Sequence, residues 1–234
     1  MLCAVRLVLC MMTLCYLQAL HPWLQSLAFE LPNPRLDFKL CGGDLTEPKW
    51  ICDPDHVLHE PEVNKINRIL ESIRYNTTCA CDDQSECPID GTGFTVSVAI
   101  KSSLPTRSRS ISATNYAKYL RQNEWKFSAC DDDVVIVIAN KKREIGISYG
   151  FTTEQMLAVI VIDDILRNSR NIFERRNISE TTMYLVSSLK DAFLGNYRRT
   201  PPFPVWTVVH MILGSSFVLC CFCSMYICRV LYSQ

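Results

Sequence analysis

Apolar residues Val63, Ile66, Ile69, Leu70 and Ile73 recur three and four positions apart, the period of a helix with one buried face running to about Tyr75. Pro61 suits its first turn, where the missing N–H costs no hydrogen bond. Further on, Phe94, Val96, Val98 and Ile100 alternate with Thr95, Ser97 and Ala99, which predicts a strand with one more strongly apolar face. Residues 112–125 read as a second helix, with Tyr116 and Leu120 on one side. The unbroken β-branched run Val134–Ile138 predicts a central strand covered on both faces. Asn140-Lys141-Lys142 then makes a turn, and Arg143–Tyr149 returns as a hairpin partner with Ile145 and Ile147 facing one way.

After Gly150, Thr152-Thr153-Glu154-Gln155 has the form of a capping box for a helix over 154–167. That helix is apolar nearly all round, through Met156, Leu157, Val159, Ile160, Val161 and Ile162, and is expected to be buried. A last helix over about 180–196 turns Met183, Val186, Leu189 and Phe193 inward. The order helix, strand, helix, strand, strand, helix, helix predicts an α/β fold, a three-layer sandwich around a small mixed sheet.

The chain ends read differently. Arg6 precedes an apolar run from Leu7 to Leu20, too short for a membrane span, and Ser26-Leu27-Ala28 supplies small residues before Phe29. We expect a signal peptide over 1–28, with cleavage after Ala19 as the other option. Val205–Ile227 has no formal charge, and as a helix it would extend roughly 34 Å, enough to cross a hydrocarbon core. Pro201, Pro202 and Pro204 separate it from what precedes, and Trp206 and Tyr226 stand where an aromatic belt would lie.

The expectation is a type I protein with one transmembrane helix over 205–227 and a cytosolic tail over 228–234, too short to hold a signalling domain. Arg198 and Arg199 outside against Arg229 inside run counter to the positive-inside tendency, so the signal sequence sets the orientation here. Ser216, Cys220 and Ser224 recur every fourth residue, a stripe of small side chains that suits contact with another span or is ordinary scatter. Cys223 and Cys228 are either acylation sites or idle thiols.

Composition narrows the class. With 24 basic and 24 acidic residues in 234, the chain lacks the basic excess of a nucleic-acid binder, and at 48% hydrophobic it is too apolar for disorder. Of 13 cysteines, six fall between signal and span: Cys41, Cys52, Cys79, Cys81, Cys87 and Cys130. An even set in an exported segment is a disulfide framework with 15 possible pairings. Cys79, Cys81 and Cys87 can share at most one bridge, so full oxidation ties their loop to Cys41, Cys52 or Cys130. Zinc is the rival, but these six include no Cys-x-x-Cys pair, and no His-x-x-x-His completes a site. Asn76-Thr77-Thr78 and Asn177-Ile178-Ser179 are glycosylation sequons. Residues 29–49, with Pro32, Pro34, Pro48 and Gly42-Gly43, read as an extended lead-in held at Cys41 to a domain over 50–197.

Catalytic chemistry is thinly supplied. His56 and His59 are the only histidines between signal and span, and no Gly-x-Ser-x-Gly, phosphate-cradling loop or His-Glu-x-x-His occurs. Asp131-Asp132-Asp133 and Asp163-Asp164 are the stronger acidic candidates, since carboxylates at strand ends can take a hard cation. A calcium loop's Gly and terminal Glu are missing, so we read the first group as a solvated turn and the second as the exposed arc of its helix. Asp53-Pro54-Asp55 reads as a turn. We assign no catalytic, cofactor or metal residue.

Two stretches carry a resemblance: Trp50-Ile51-Cys52-Asp53-Pro54-Asp55-His56-Val57-Leu58 before a helix, and Asp132–Ile138 followed by Arg143-Glu144-Ile145-Gly146-Ile147-Ser148-Tyr149-Gly150. They resemble the TPM domain family, and the cysteines and C-terminal span are similar to its modulator of levamisole receptor branch. Glu60 before Pro61 departs from the Ser or Thr that usually caps the first helix of that family. The resemblance implies a non-enzymatic, single-pass accessory subunit at the plasma membrane, at a synapse, modulating a pentameric levamisole-type nicotinic acetylcholine receptor through its extracellular domain. It implies no contact residues. The alternatives are a cell-surface metal-dependent phosphatase using Asp131–Asp133 and Asp163, as some TPM relatives suggest, or a binding module without a channel partner.

Overall fold

The computed structural model describes residues 31–42, 47–88, 92–105 and 111–199, together with His210. The chain divides into compact units over 1–197 and 198–234. The expected signal (1–28) and the run Val205–Ile227, with Ser216, Cys220 and Ser224, lie outside the described residues apart from His210. Among the described residues no helix is long and apolar enough to cross a membrane.

The first unit is an α/β fold. Strand β1 (Ile51–Cys52) precedes helix α1 (Glu60–Asn76), strand β2 (Thr95–Lys101) and helix α2 (Ala113–Tyr119), which runs into a π turn over Leu120–Trp125. Strands β3 (Asp133–Ala139) and β4 (Glu144–Tyr149) form a hairpin, followed by α3 (Phe151–Met156), α4 (Val159–Arg175) and α5 (Ile178–Phe193). The four strands lie in the order β1-β2-β3-β4. The first three are parallel and β4 runs back along β3, so the sheet is small and mixed.

Strand alternation decides what covers each face. Val96, Val98 and Ile100 of β2, Val134, Ile136 and Ile138 of β3, and Ile145 and Ile147 of β4 all enter one core with α1, α4 and α5. Side chains of opposite parity are smaller: Ala99, Val135, Val137 and Ala139 enter a second core with Ala113, Tyr116, Ala117 and Leu120 of the α2 segment. Two cores on opposite faces make three layers. Gly146 shows how closely α2 seats, since a Cβ there would lie 2.1 Å from the Ala113 carbonyl carbon and the Thr114 nitrogen.

Four expectations need correction. The predicted helix over 154–167 is two helices, α3 and α4, broken where Leu157 takes an extended conformation. The Thr152–Gln155 box does not cap it: α3 starts after Gly150 with no side-chain cap, and the Thr152 hydroxyl instead donates to the Cys130 carbonyl at 2.5 Å. Nor is the segment buried all round: Leu157, Ile162 and Ile165 enter the core, but Phe151, Met156, Val159 and Ile160 are exposed. Its uniform apolarity concealed which residues face out.

The lead-in does not stay extended either. It turns at 34–36 and coils into a 3-10 helix over Phe38–Cys41. Its start is held by the Trp125 indole N–H, which donates to the Leu31 carbonyl at 3.3 Å, and by the Asn33 amide, which donates to the Trp125 carbonyl at 3.3 Å. Strand β1 was not predicted, since two residues carry no periodicity. For α1 the cap is His59, whose N–H donates to the Glu62 carboxylate at 2.9 Å, one half of a capping box without Ser or Thr.

The six exported cysteines pair as Cys41–Cys52, Cys79–Cys87 and Cys81–Cys130. The first ties the lead-in to β1, and the third joins the cysteine loop to the segment before β3. Sequence separations of 8 for Cys79–Cys87 and 49 for Cys81–Cys130 predict unequal contributions. Chain-entropy arithmetic gives about 2.5 kcal/mol for the short loop and about 4 kcal/mol for the long one. Paired serine substitutions should therefore lower the unfolding free energy more at Cys81/Cys130 than at Cys79/Cys87. Urea unfolding checks the order, and equal losses would contradict it.

Candidate functional site

Chemistry-bearing residues gather at the start of β3. Asp131 has left-handed backbone (φ 59°) and is exposed, whereas Asp132 and Asp133 are 6% and 2% exposed, so this is not the solvated turn expected from sequence. Arg121, in the π turn after α2, reaches across and donates from Nη1 to Asp131 Oδ1 at 2.8 Å and Asp133 Oδ1 at 3.0 Å. Its Nε donates to the Ser148 hydroxyl at 3.3 Å.

The backbone fixes the group from behind. Gly150 N–H donates to the Asp133 carbonyl at 3.0 Å, and Thr153 N–H donates to the Asp131 carbonyl at 3.3 Å. Burial pushes the Asp133 carboxyl above the ordinary carboxylate value, while the Arg121 guanidinium pulls it part of the way back. Burial works against charge on Arg121 too, but its bonds to Asp131 and Asp133 outweigh that and raise its pKa. The guanidinium thus holds the position a cation would take between the two carboxylates. Sequence reading missed Arg121, because nothing in a helical pattern says which distant acid an arginine meets.

The second acidic pair separates. Asp163 is exposed, as expected, but Asp164 is buried, bonded to Arg167 and accepting a hydrogen bond from the Tyr197 hydroxyl at 2.9 Å. Its expected place on the exposed arc is therefore corrected. Burial, with the bond to Asp164 adding to it, raises the Tyr197 phenol well above its ordinary value. Among the described residues, the groupings that bring three possible metal ligands together are Cys79, Cys81, Cys87 and Cys81, Glu86, Cys130. Their cysteines are spent in disulfides.

At the other end of the parallel strands, the Asp53-Pro54-Asp55 turn is more than a surface bend. Asp53 is buried, and its two oxygens accept N–H groups from Val57 at 3.0 Å and Leu58 at 2.8 Å, which fixes the approach to α1. Burial raises its pKa despite those bonds. Asp55 accepts from Lys101 Nζ at 2.9 Å and Ser102 N–H at 2.7 Å. His56 and His59 are exposed, and His56 shares a cavity of about 50 Å³ with Cys41, Gly42, Asp53, Leu58, Glu60 and Val63, too small for an organic ligand. A more open groove of about 420 Å³ runs between the lead-in, through Leu31, Leu36 and Leu40, and Glu124 and Trp125.

Both sequon asparagines are exposed. Asn76 ends α1, and Asn177 caps α5 by accepting the Glu180 N–H at 2.9 Å through Oδ1, which leaves its amide nitrogen free of that bond.

Together these features define a disulfide-braced α/β domain whose strand-edge carboxylates are paired with its own arginine and whose surface includes exposed apolar residues. The sequence profile described as Modulator of levamisole receptor-1 matches residues 27–143, half of the chain, and the protein belongs to that family. Among curated proteins none matches the chain. Of solved structures, the N-terminal domain of a protein from P. gingivalis is similar at a TM-score of 0.52 and 14% identity, covering 76% of this chain and 97% of that one. That likeness shows the fold. The BA42 protein of Bizionia argentinensis is more distant, with a TM-score of 0.45 and 10% identity over 62% of this chain and 88% of its own.

Arg121→Met leaves Asp133 buried without its partner and should cost about 3 kcal/mol of stability. The loss should depend on pH. A carboxyl with a raised folded pKa contributes stability that is full below its unfolded value, near 3.8, and is lost as pH rises through the folded one. Without Arg121 the folded value climbs further. The gap between wild type and variant in urea unfolding should therefore be wider near pH 7 than near pH 4. A gap that stays constant would show that Arg121 acts through packing alone.

Proposed function

We propose that the protein is a single-pass membrane accessory subunit that modulates a levamisole-type nicotinic acetylcholine receptor through its extracellular domain. Membership of the modulator of levamisole receptor-1 family carries this reading. Supporting it are the signal-like Leu7–Leu20 run, the uncharged Val205–Ile227 run, and three disulfides that suit an oxidising compartment. On this reading Asn76 and Asn177 are glycosylated, the domain stands outside the plasma membrane, and the protein catalyses no reaction.

Modulation then requires unequal affinity. A domain that contacts the open channel more strongly than the closed one shifts the equilibrium by that difference. A coupling of about 1–3 kcal/mol changes the closed-to-open ratio roughly 5- to 150-fold.

The test is the acetylcholine-evoked current of a levamisole-type receptor in oocytes, with and without this protein, at matched receptor surface level. A changed current is expected. An unchanged current with the protein confirmed at the cell surface would sink the receptor reading.

A further inference from the structure

Two of the domain's disulfides lie side by side. The sulfurs of Cys79, Cys81 and Cys87 are all within 4.8 Å of one another, although Cys79 is bonded to Cys87 and Cys81 to Cys130. Cys81 therefore neighbours both sulfurs of a bridge it does not belong to. Disulfides exchange when a thiolate attacks a disulfide sulfur, so opening one of these bridges leaves a nucleophile beside the other.

Local structure decides which thiol attacks. A 3-10 turn over Gln84–Glu86 spans Cys81 and Cys87: the Gln84 side-chain amide donates to the Cys81 carbonyl at 3.1 Å, and the Cys87 N–H donates to the Gln84 carbonyl at 3.3 Å. Asp83 caps that turn by accepting the Ser85 N–H at 2.8 Å. Cys79 and Cys81 have only Ala80 between them, which leaves a bridge little room to reach disulfide geometry.

Exposure sets the order. Cys79 and Cys87 are half-buried in a loop whose residues 82–86 are all exposed, whereas Cys81 is buried. A Glu86 carboxylate oxygen lies within 4.8 Å of the Cys81 and Cys130 sulfurs, so a thiolate arriving there from solvent meets like charge as well as burial. Cys41 and Cys52 are both buried and stay closed to solvent. An outside reductant reaches Cys79–Cys87 first.

We infer that Cys79, Cys81, Cys87 and Cys130 form a thiol–disulfide exchange site whose substrate is a dithiol reductant, and that one two-electron reduction releases Cys130. The dithiol opens Cys79–Cys87 and leaves as its own cyclic disulfide, giving two thiols. The Cys87 thiolate then attacks the Cys81 sulfur. The Cys81–Cys87 bond forms and the Cys81–Cys130 bond breaks. Its electron pair leaves on Cys130, which takes up the proton that Cys87 lost. The product holds one bridge inside the loop, thiols at Cys79 and Cys130, and an intact Cys41–Cys52.

Release cuts the covalent tie between the cysteine loop and the start of β3. That is where the Cys130 carbonyl accepts the Thr152 hydroxyl and where Arg121 bonds Asp131. The exchange does not depend on the receptor reading.

The test uses the full-length chain in detergent, treated with dithiothreitol limited to one reduction per chain. Free thiols are trapped with iodoacetamide and located by tandem mass spectrometry. We expect label on Cys79 and Cys130, label at Cys130 exceeding that at Cys81, and a Cys81–Cys87 bridge. Cys79→Ser, which leaves Cys87 unpaired, should show the same bridge and a labelled Cys130 with no dithiol added. Label confined to Cys79 and Cys87 overturns the exchange, and so does label on Cys81 with Cys130 while Cys79–Cys87 persists. A Cys79→Ser chain that keeps Cys81–Cys130 and carries its label on Cys87 overturns it as well.

Discussion

The close seating of α2 on the sheet is the contact from which the other layers follow. Gly146 leaves room for the backbone at Ala113 and Thr114, and Ala99 and Ala139 keep that face shallow, so the short α2 with its π turn, flanked by Leu31 and Cys41 of the lead-in, covers it. The opposite face carries the branched side chains of β2, β3 and β4, which are too tall and too numerous for one helix to bury. Three long helices are needed there. The order of the chain then follows: one short crossover on the shallow side, and α1, α4 and α5 on the deep side.

The same asymmetry places the charged edge. The α2 segment ends in a π turn, and that turn carries Arg121 over the start of β3. Asp133 begins a fully buried strand, so its carboxylate is tolerable only with a cation held by packing beside it. What looks in sequence like a run of acids awaiting a metal is, in the folded domain, largely the inner half of an ion pair. The guanidinium contacts Asp131 and Asp133 and also donates to Ser148 on β4, so the pairing links α2, β3 and β4 as well as neutralising charge.

Much of this was legible in the chain. Val134–Ile138 could be read as a doubly covered strand because both parities are apolar, and the Phe94–Ile100 alternation gave the deep face its direction. The spacing of Val63 to Ile73 marked α1, and counting thiols showed that one bridge had to leave the cysteine loop. What escaped has physical reasons. A two-residue strand has no period, so β1 was invisible. Between residues 154 and 167 hydrophobicity carries no phase, so neither the break at Leu157 nor the outward face of Met156, Val159 and Ile160 could be placed. Asp132, Asp133 and Asp164 read as solvated because burial of a carboxylate depends on partners distant in sequence or on tertiary packing, as with Arg121 and Tyr197.

The distribution of the three bridges divides the domain mechanically. All of them lie between Cys41 and Cys130, and residues 131–197 contain no cysteine. A tug on the chain at Tyr197 is therefore borne by non-covalent contacts alone, beginning with the phenol that holds Asp164. Under load α5 and α4 would yield first, while the disulfide-linked half keeps its shape. Stiffness and compliance are thus built into opposite halves of one small domain.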